Sequence, residues 1–204
     1  MIRLGVLGSG HGTNFEEIAK CIMDGRIKGA EIAVVISDVK DAPIIEKAER
    51  LGLQAMYLPA DDYKTKLEGP QEEKYIEVLK ENEVDYVILA GFMRMIKSKL
   101  LEAFPMKVVN IHPALLPAFP GLESWKQALN YGAKLAGCTI HFVDAGMDSG
   151  PIIAQAAVHV FDDDTPETLH ARIQEQEHIW FPKVINMLAA GAVKVKGRRV
   201  KIKG

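Results

Sequence analysis

The chain has 204 residues, of which 48% are hydrophobic, 25% charged and 7% aromatic, the size and balance of one globular domain that can bury its own core. Those proportions exclude a disordered chain, a collagen-like repeat and a disulfide scaffold. The 25 Lys and Arg against 27 Asp and Glu give a net charge of −2, yet the final eleven residues carry six bases (Lys194, Lys196, Arg198, Arg199, Lys201, Lys203) and no acid, leaving the rest at −8.

In chain order the pattern alternates strand and helix. Arg3–Leu7 is a short apolar strand running into the turn Gly8-Ser9-Gly10-His11-Gly12-Thr13-Asn14. A helix follows from about Asn14 to Met23, with Phe15, Ile18, Ala19 and Ile22 at helical spacing. Glu31–Ser37 and Gln54–Leu58 read as strands on either side of a helix over Ala42–Leu51. A helix from Pro70 to Asn82 leads into Val84–Ala90, the most hydrophobic strand, and Lys107–Asn110 is a fifth. Near-continuous Val, Ile and Leu runs are buried on both faces, which predicts an α/β fold: a parallel, Rossmann-like sheet with helices on both sides.

The Pro- and Gly-rich stretch His112–Leu122 reads as a loop. Beyond it, Gly137–Val143 and Pro151–Val160 predict antiparallel strands that extend the sheet. Thr165 caps a long helix, with Pro166 in its first turn and Leu169, Ile173, Trp180, Val184 and Leu188 as its apolar stripe. Val193, Val195, Val200 and Ile202 alternate with the terminal bases around Gly197-Arg198, as in a β-hairpin with a solvated basic face. A body at −8 would repel a nucleic-acid backbone, so these bases are read as surface.

Cys21 and Cys138 have neither metal nor CxxC spacing and read as buried thiols of a reducing compartment. No signal peptide is recognised ahead of Arg3, and the longest apolar run, Tyr86–Met93, is far short of a bilayer span. The expectation is a cytoplasmic protein.

The Gly8–Asn14 turn joins a strand to a helix N-terminus, where glycines admit a ligand to the backbone and free N–H groups favour an anion. It is not GxGxxG, because Thr13 stands where the third Gly would, and it is not a Walker loop. It reads as a site for one phosphate held by Gly12, Thr13 and Asn14, or as a tight turn serving packing alone. Asn110 and His112 end the fifth strand two residues apart, hence on one side, at the carboxyl end where ligands of open α/β sheets bind. An amide for an oxyanion beside a proton-exchanging imidazole suits acyl-type transfer, although a lone strand-end histidine is more often structural.

Asp148, in the turn Asp144–Pro151, would hold His112 cationic and fix its ring if the two met, or else make only an Asx turn. His141 is equally a wall or a catalytic residue. The Leu89–Ile96 segment around Gly91 would line a flat slot or plug the core, with Arg94 solvated. Gln174, Glu177 and His178 share one helix face beside the apolar stripe, a solvated face by default. No HExxH or Cys/His cluster suggests a metal.

Together, Ser9-Gly-His-Gly-Thr-Asn14, Ala90-Gly-Phe-Met-Arg-Met-Ile96, Asn110-Ile-His-Pro-Ala-Leu-Leu-Pro117 with Pro120-Gly121, His141-Phe-Val-Asp144, Met147-Asp-Ser-Gly-Pro151 and Gln174-Glu-Gln-Glu-His178 resemble, in order and spacing, the folate-dependent formyltransferase family. The likeness is to its glycinamide-ribonucleotide branch in purine biosynthesis. It implies that the formyl group of 10-formyltetrahydrofolate, as co-substrate and with no metal, passes to the amino group of 5-phosphoribosylglycinamide by direct attack through a tetrahedral intermediate. It implies Asn110, His112 and Asp148 as the catalytic trio. Gly12, Thr13, Asn14, Gln174 and Glu177 would hold the ribonucleotide. The folate would be held by Lys66 (in Tyr63-Lys64-Thr65-Lys66), Met93, Arg94, Met95, Ile96, Asn110, Val143 and Asp144.

One domain over 1–204 is expected, with a parallel nucleotide-binding half (1–110), a folate and catalytic half (111–192) and the basic hairpin (193–204). Its partners would be two small molecules, without nucleic acid or membrane, and the protein a monomer or weak homodimer. Ala118-Phe119 and Glu123-Ser124-Trp125 depart from the basic-Tyr and His-rich versions of the family, beside the trio and not within it. A formyltetrahydrofolate hydrolase carries a domain ahead of the first strand, for which a start at Arg3 leaves no room. The methionyl-tRNA formyltransferase has Arg-Gly where this chain has Pro120-Gly121, and a non-catalytic nucleotide-binding module would need only the Gly-rich turn.

Overall fold

A computed structural model describes residues 1–60 and 65–203. The strands β1 (Ile2–Leu7), β2 (Ala30–Ser37), β3 (Ala55–Tyr57), β4 (Tyr86–Leu89) and β5 (Val108–His112) pair in parallel in the spatial order β3-β2-β1-β4-β5. Helices α1 (Thr13–Met23), α2 (Pro43–Arg50), α3 (Pro70–Glu81) and the short α4 (Ser98–Ala103) lie between them in sequence. After α5 (Ser124–Tyr131), strands β6 (Leu135–Phe142) and β7 (Ile152–His159) continue the sheet from β5 as antiparallel neighbours, as the sequence predicts. The long helix α6 (Pro166–Ala189) and a separate hairpin of β8 (Val193–Lys196) and β9 (Arg199–Ile202) complete the chain.

The strands are apolar throughout because successive side chains enter different cores. Val6, Ile88 and Val109 face a cluster with Ile18, Ile44 and Phe181, whereas their neighbours Leu7, Leu89 and Val108 face Tyr75, Leu79 and Leu100 on the other side. Thr165 opens α6 with a reciprocal capping box to Thr168. The helix buries Leu169, Ile173, Val184 and Leu188 of its expected stripe, together with Phe181 and Ile185. Trp180 is only half-buried, at the border of the stripe, with the Lys183 ammonium 4.8 Å from its ring centre.

Around β5 and β6 the two faces are treated differently. Val109, Ile111, Ile140 and Phe142 point into the core shared with α1 and α6. Asn110, His112, Thr139 and His141 occupy the alternate positions, and that face is covered by loops. The loop after β5 is fastened there by the fully buried Thr139. Its hydroxyl donates to the Ala114 carbonyl at 2.6 Å and accepts from the Leu116 N–H at 3.0 Å, while the Gln155 amide reaches the Leu116 carbonyl at 2.9 Å. Among the described residues no helix is long and apolar enough to cross a membrane.

Two helices go beyond the sequence expectation. α4 has no side-chain cap, and the Glu72 carboxylate on α3 takes its Leu100 N–H at 3.0 Å. α5 begins after Glu123 in a left-handed conformation, again uncapped. β5 also runs to His112, two residues further than the pattern suggests.

Candidate active site

Ile36, Leu7, Leu89, Asn110 and His141 stand in register across β2, β1, β4, β5 and β6. At about 4.8 Å per strand, Asn110 is roughly 10 Å from Leu7. The Gly8–Asn14 turn, the segment beginning at Gly91 and the end of β5 therefore leave the sheet side by side.

The first of these turns closes on α1. Gly12 precedes the helix with φ +67°, and a Cβ there would stand 2.7 Å from the Ile44 side chain, so both backbone and space demand glycine. Its two helix residues are met from α6: the Gln174 amide donates to the Thr13 hydroxyl at 2.8 Å, and the Asn14 amide donates to the Glu177 carboxylate at 2.9 Å. The helix pattern alone puts Glu177 on a solvated face, but it is buried, and burial pushes its pKa up against the opposing Asn14 hydrogen bond. The Asn14 amide oxygen is buried and has no hydrogen-bond partner among the described residues. The five residues assigned to the nucleotide thus form one cluster at the N-terminus of α1.

The second cluster gathers on the loop-covered face. Asp148, at φ +48° in the β6–β7 loop, sets one carboxylate oxygen 3.5 Å from His112 Nδ1 and accepts the Gly121 N–H on that oxygen at 2.9 Å. The other ring nitrogen, Nε2, lies 3.0 Å from the Phe119 carbonyl, so it carries a hydrogen and donates. Asn110 places its amide nitrogen 3.3 Å from Nε2 of His141, its cross-strand partner. His141 Nδ1 lies 2.8 Å from the Phe142 carbonyl and must donate to it, which leaves Nε2 as an acceptor for the Asn110 amide. Burial pushes the His141 pKa down, in keeping with that neutral ring. His141 Nε2 also stands 3.9 Å from Asp148. A fourth polar group, left open by the sequence, therefore joins Asn110, His112 and Asp148. The signal that would have found it is the antiparallel pairing of β6 with β5.

The expected folate residues divide. Thr65 to Leu67 runs beside the Met93–Ile96 segment: Met95 N–H donates to the Thr65 carbonyl, the Leu67 N–H donates to the Met95 carbonyl, and Lys66 bridges to Met95 and pairs with Glu68. Tyr63 and Lys64 lie outside the described residues. Met93 and Met95 are exposed, whereas Ile96 is buried in the α3-side core. Arg94 is not simply solvated: its Nε donates to the buried Asp38 carboxylate at 2.7 Å. Asp38 also takes the Ser9 hydroxyl at 2.5 Å, and Ser9 Oγ in turn accepts the Met93 N–H at 2.8 Å. Val143 packs on the same core, and Asp144 caps its own loop by accepting from Gly146 N–H and Ser149 Oγ.

Residues 2–185 match the family described as formyl transferase. Over 188 residues the chain is 42% identical to the phosphoribosylglycinamide formyltransferase of Bacillus subtilis (strain 168), covering 92% of this chain and 95% of that one. It is 40% identical over 198 residues to the trifunctional purine biosynthetic protein adenosine-3 of Drosophila pseudoobscura pseudoobscura, a match that takes in 94% of this chain and 14% of that longer protein. Among solved structures, glycinamide ribonucleotide transformylase 1 from Symbiobacterium toebii superposes with a TM-score of 0.95 at 48% identity, over 100% of this chain and 95% of that one.

Proposed function

Given that the chain belongs to the formyl transferase family, we propose that it transfers the formyl group of 10-formyltetrahydrofolate to the amino group of 5-phosphoribosylglycinamide in de novo purine biosynthesis. The observation that carries this reading is the meeting of Asn110, His112 and Asp148 on one face of the sheet, at the end of β5. Two strand spacings away lies a glycine turn suited to a phosphate.

The ribose phosphate sits on the N–H groups of Gly12, Thr13 and Asn14, with the charge of α1's N-terminus behind them. The unpartnered Asn14 oxygen and the Glu177 carboxyl offer acceptors to the hydroxyl or amino groups of the same nucleotide. The folate's flat ring lies against Met93–Ile96. Met95 N–H, Met95 C=O and Met93 N–H are already committed to Thr65, Leu67 and Ser9, so the pterin takes its hydrogen bonds from other backbone groups of the segment. Lys66, beside Met95, suits the carboxylate end of the folate.

The substrate amine attacks the formyl carbon, and negative charge develops on the formyl oxygen. The Asn110 amide, oriented by His141, has a second N–H to give that oxygen. Because Nε2 of His112 is held by the Phe119 carbonyl, Nδ1 is the nitrogen that works on the substrate. As an imidazolium paired with Asp148 it stabilises the oxyanion. It then passes its proton to N10 as the carbon–N10 bond breaks, and the amine releases one proton in exchange. Both cysteines are buried and unpaired, which supports a reducing, cytoplasmic setting.

Incubation with 10-formyltetrahydrofolate, with and without the ribonucleotide amine, tests the reading. Loss of the folate's formyl group only when the amine is present is the expected result. Loss without amine would make the chain a hydrolase, and no loss a binding protein.

A further inference from the structure

The β8–β9 hairpin lies beyond residues 2–185, the part of the chain that matches the family. Its apolar side is not free: Val193, Val195 and Val200 pack against the core shared by α1 and α6. The docked strands hold the turn at Gly197-Arg198 in place, and from it Arg198 Nη2 donates to the Ser149 carbonyl at 2.9 Å. Ser149 follows Asp148 directly. Its hydroxyl is tied to Asp144 at 2.6 Å, and a Cβ on the next residue, Gly150, would overlap the Phe142 carbonyl at 1.8 Å. The loop is thus pinned just after the one residue that must hold a left-handed backbone while presenting its carboxylate to His112. Such a conformation lasts only when its surroundings over-determine it.

We infer that Arg198 is a positioning residue for the transfer reaction: the terminal hairpin braces the β6–β7 loop through the Ser149 carbonyl and so keeps Asp148 against His112. The inference rests on the catalytic reading of Asp148 given above. A guanidinium suits the task because it reaches across the gap as a rigid, charged donor to a backbone oxygen.

The test compares Arg198→Ala, Arg198→Lys and the neighbouring Arg199→Ala in the full chain, each also in an Asp148→Asn background. Arg198→Ala is expected to lower kcat about threefold to tenfold, the worth of one such hydrogen bond, with KM for the ribonucleotide unchanged. Arg198→Lys recovers most of the loss, and Arg199→Ala matches the parent. Once Asp148 is replaced, Arg198→Ala has no further effect on kcat, because both changes remove the same contact. Parental kcat in Arg198→Ala, or an equal loss in both backgrounds, overturns the inference while leaving Asp148 in its role. A fully active Asp148→Asn removes the catalytic reading and the brace with it.

Discussion

Replacing Asp148 by Asn changes one charge and little shape. The new amide oxygen still accepts the Gly121 N–H, now 2.9 Å from the carboxylate, so the loop keeps its anchor. The carboxylate charge 3.5 Å from His112 Nδ1 is lost, between side chains only 7% and 15% exposed. Two unit charges at that separation and an effective dielectric of about 20 attract by about 5 kcal/mol. In the proposed mechanism that attraction acts where an imidazolium meets the developing oxyanion, so its loss raises the barrier without weakening the nucleotide cluster on α1 and α6. With part of the loss absorbed by relaxation, kcat should fall by about 10³-fold, at about 1.4 kcal/mol per decade. Rates at saturating substrate, followed by the absorbance change of the folate, measure the fall, and calorimetric titration with the ribonucleotide should give a Kd within about twofold of the parent. His112→Ala should behave alike. An Asp148→Asn enzyme within about tenfold of parental kcat, or one that loses nucleotide binding together with turnover, would refute the assignment.

Other consequences concern stability and the nucleotide turn. Thr139→Val leaves the Leu116 N–H and the Ala114 carbonyl without their buried partner and should cost about 2–4 kcal/mol, read as a lower urea midpoint. Gly12→Ala must hold φ +67° against Ile44; a strain of about 1–3 kcal/mol should lower the melting temperature, and calorimetry should show weakened ribonucleotide binding. Asp164 accepts two hydrogen bonds from Arg172, at 2.7 and 2.8 Å, and that guanidinium holds its carboxyl well below the usual carboxylate range. Because the folded value is depressed, the contribution to stability is complete above the unfolded value of about 3.9 and disappears as pH falls through the folded one. Asp164→Asn should therefore lower stability at neutral pH and flatten the acid limb of an unfolding-versus-pH curve.

The elements with strong local signals were legible in the sequence. The apolar runs of β1, β2 and β4, the Thr165 cap of α6 and the alternation of the terminal hairpin all fall where they were expected, within one or two residues at most ends. α4 and α5 were not, because neither has a side-chain cap and α4 takes its N-terminal hydrogen bond from Glu72, 28 residues earlier. The same physics separates the site residues. Asn110 and His112 share a strand, so their common side follows from pleating, but the approach of Asp148 depends on a loop turning back over a sheet. Arg94 and Glu177 looked solvated because their partners, Asp38 and Asn14, are 56 and 163 positions away. The family likeness supplied roles for such residues; the local pattern could supply only their spacing.

β5 has hydrogen-bonded neighbours along both edges, β4 on one side and β6 on the other. Strands bound on both sides are among the last to open when a protein breathes, so Asn110, paired on both edges, and His112, paired to Thr139, ride on a part of the molecule slow to exchange its amide hydrogens. Asp148 arrives instead on a loop outside the ladder, held by Gly121, Asp144 and Arg198. The reacting centre is thus split between a strand woven into the sheet and a loop fastened by side-chain contacts, and on warming, turnover should fade before the sheet melts.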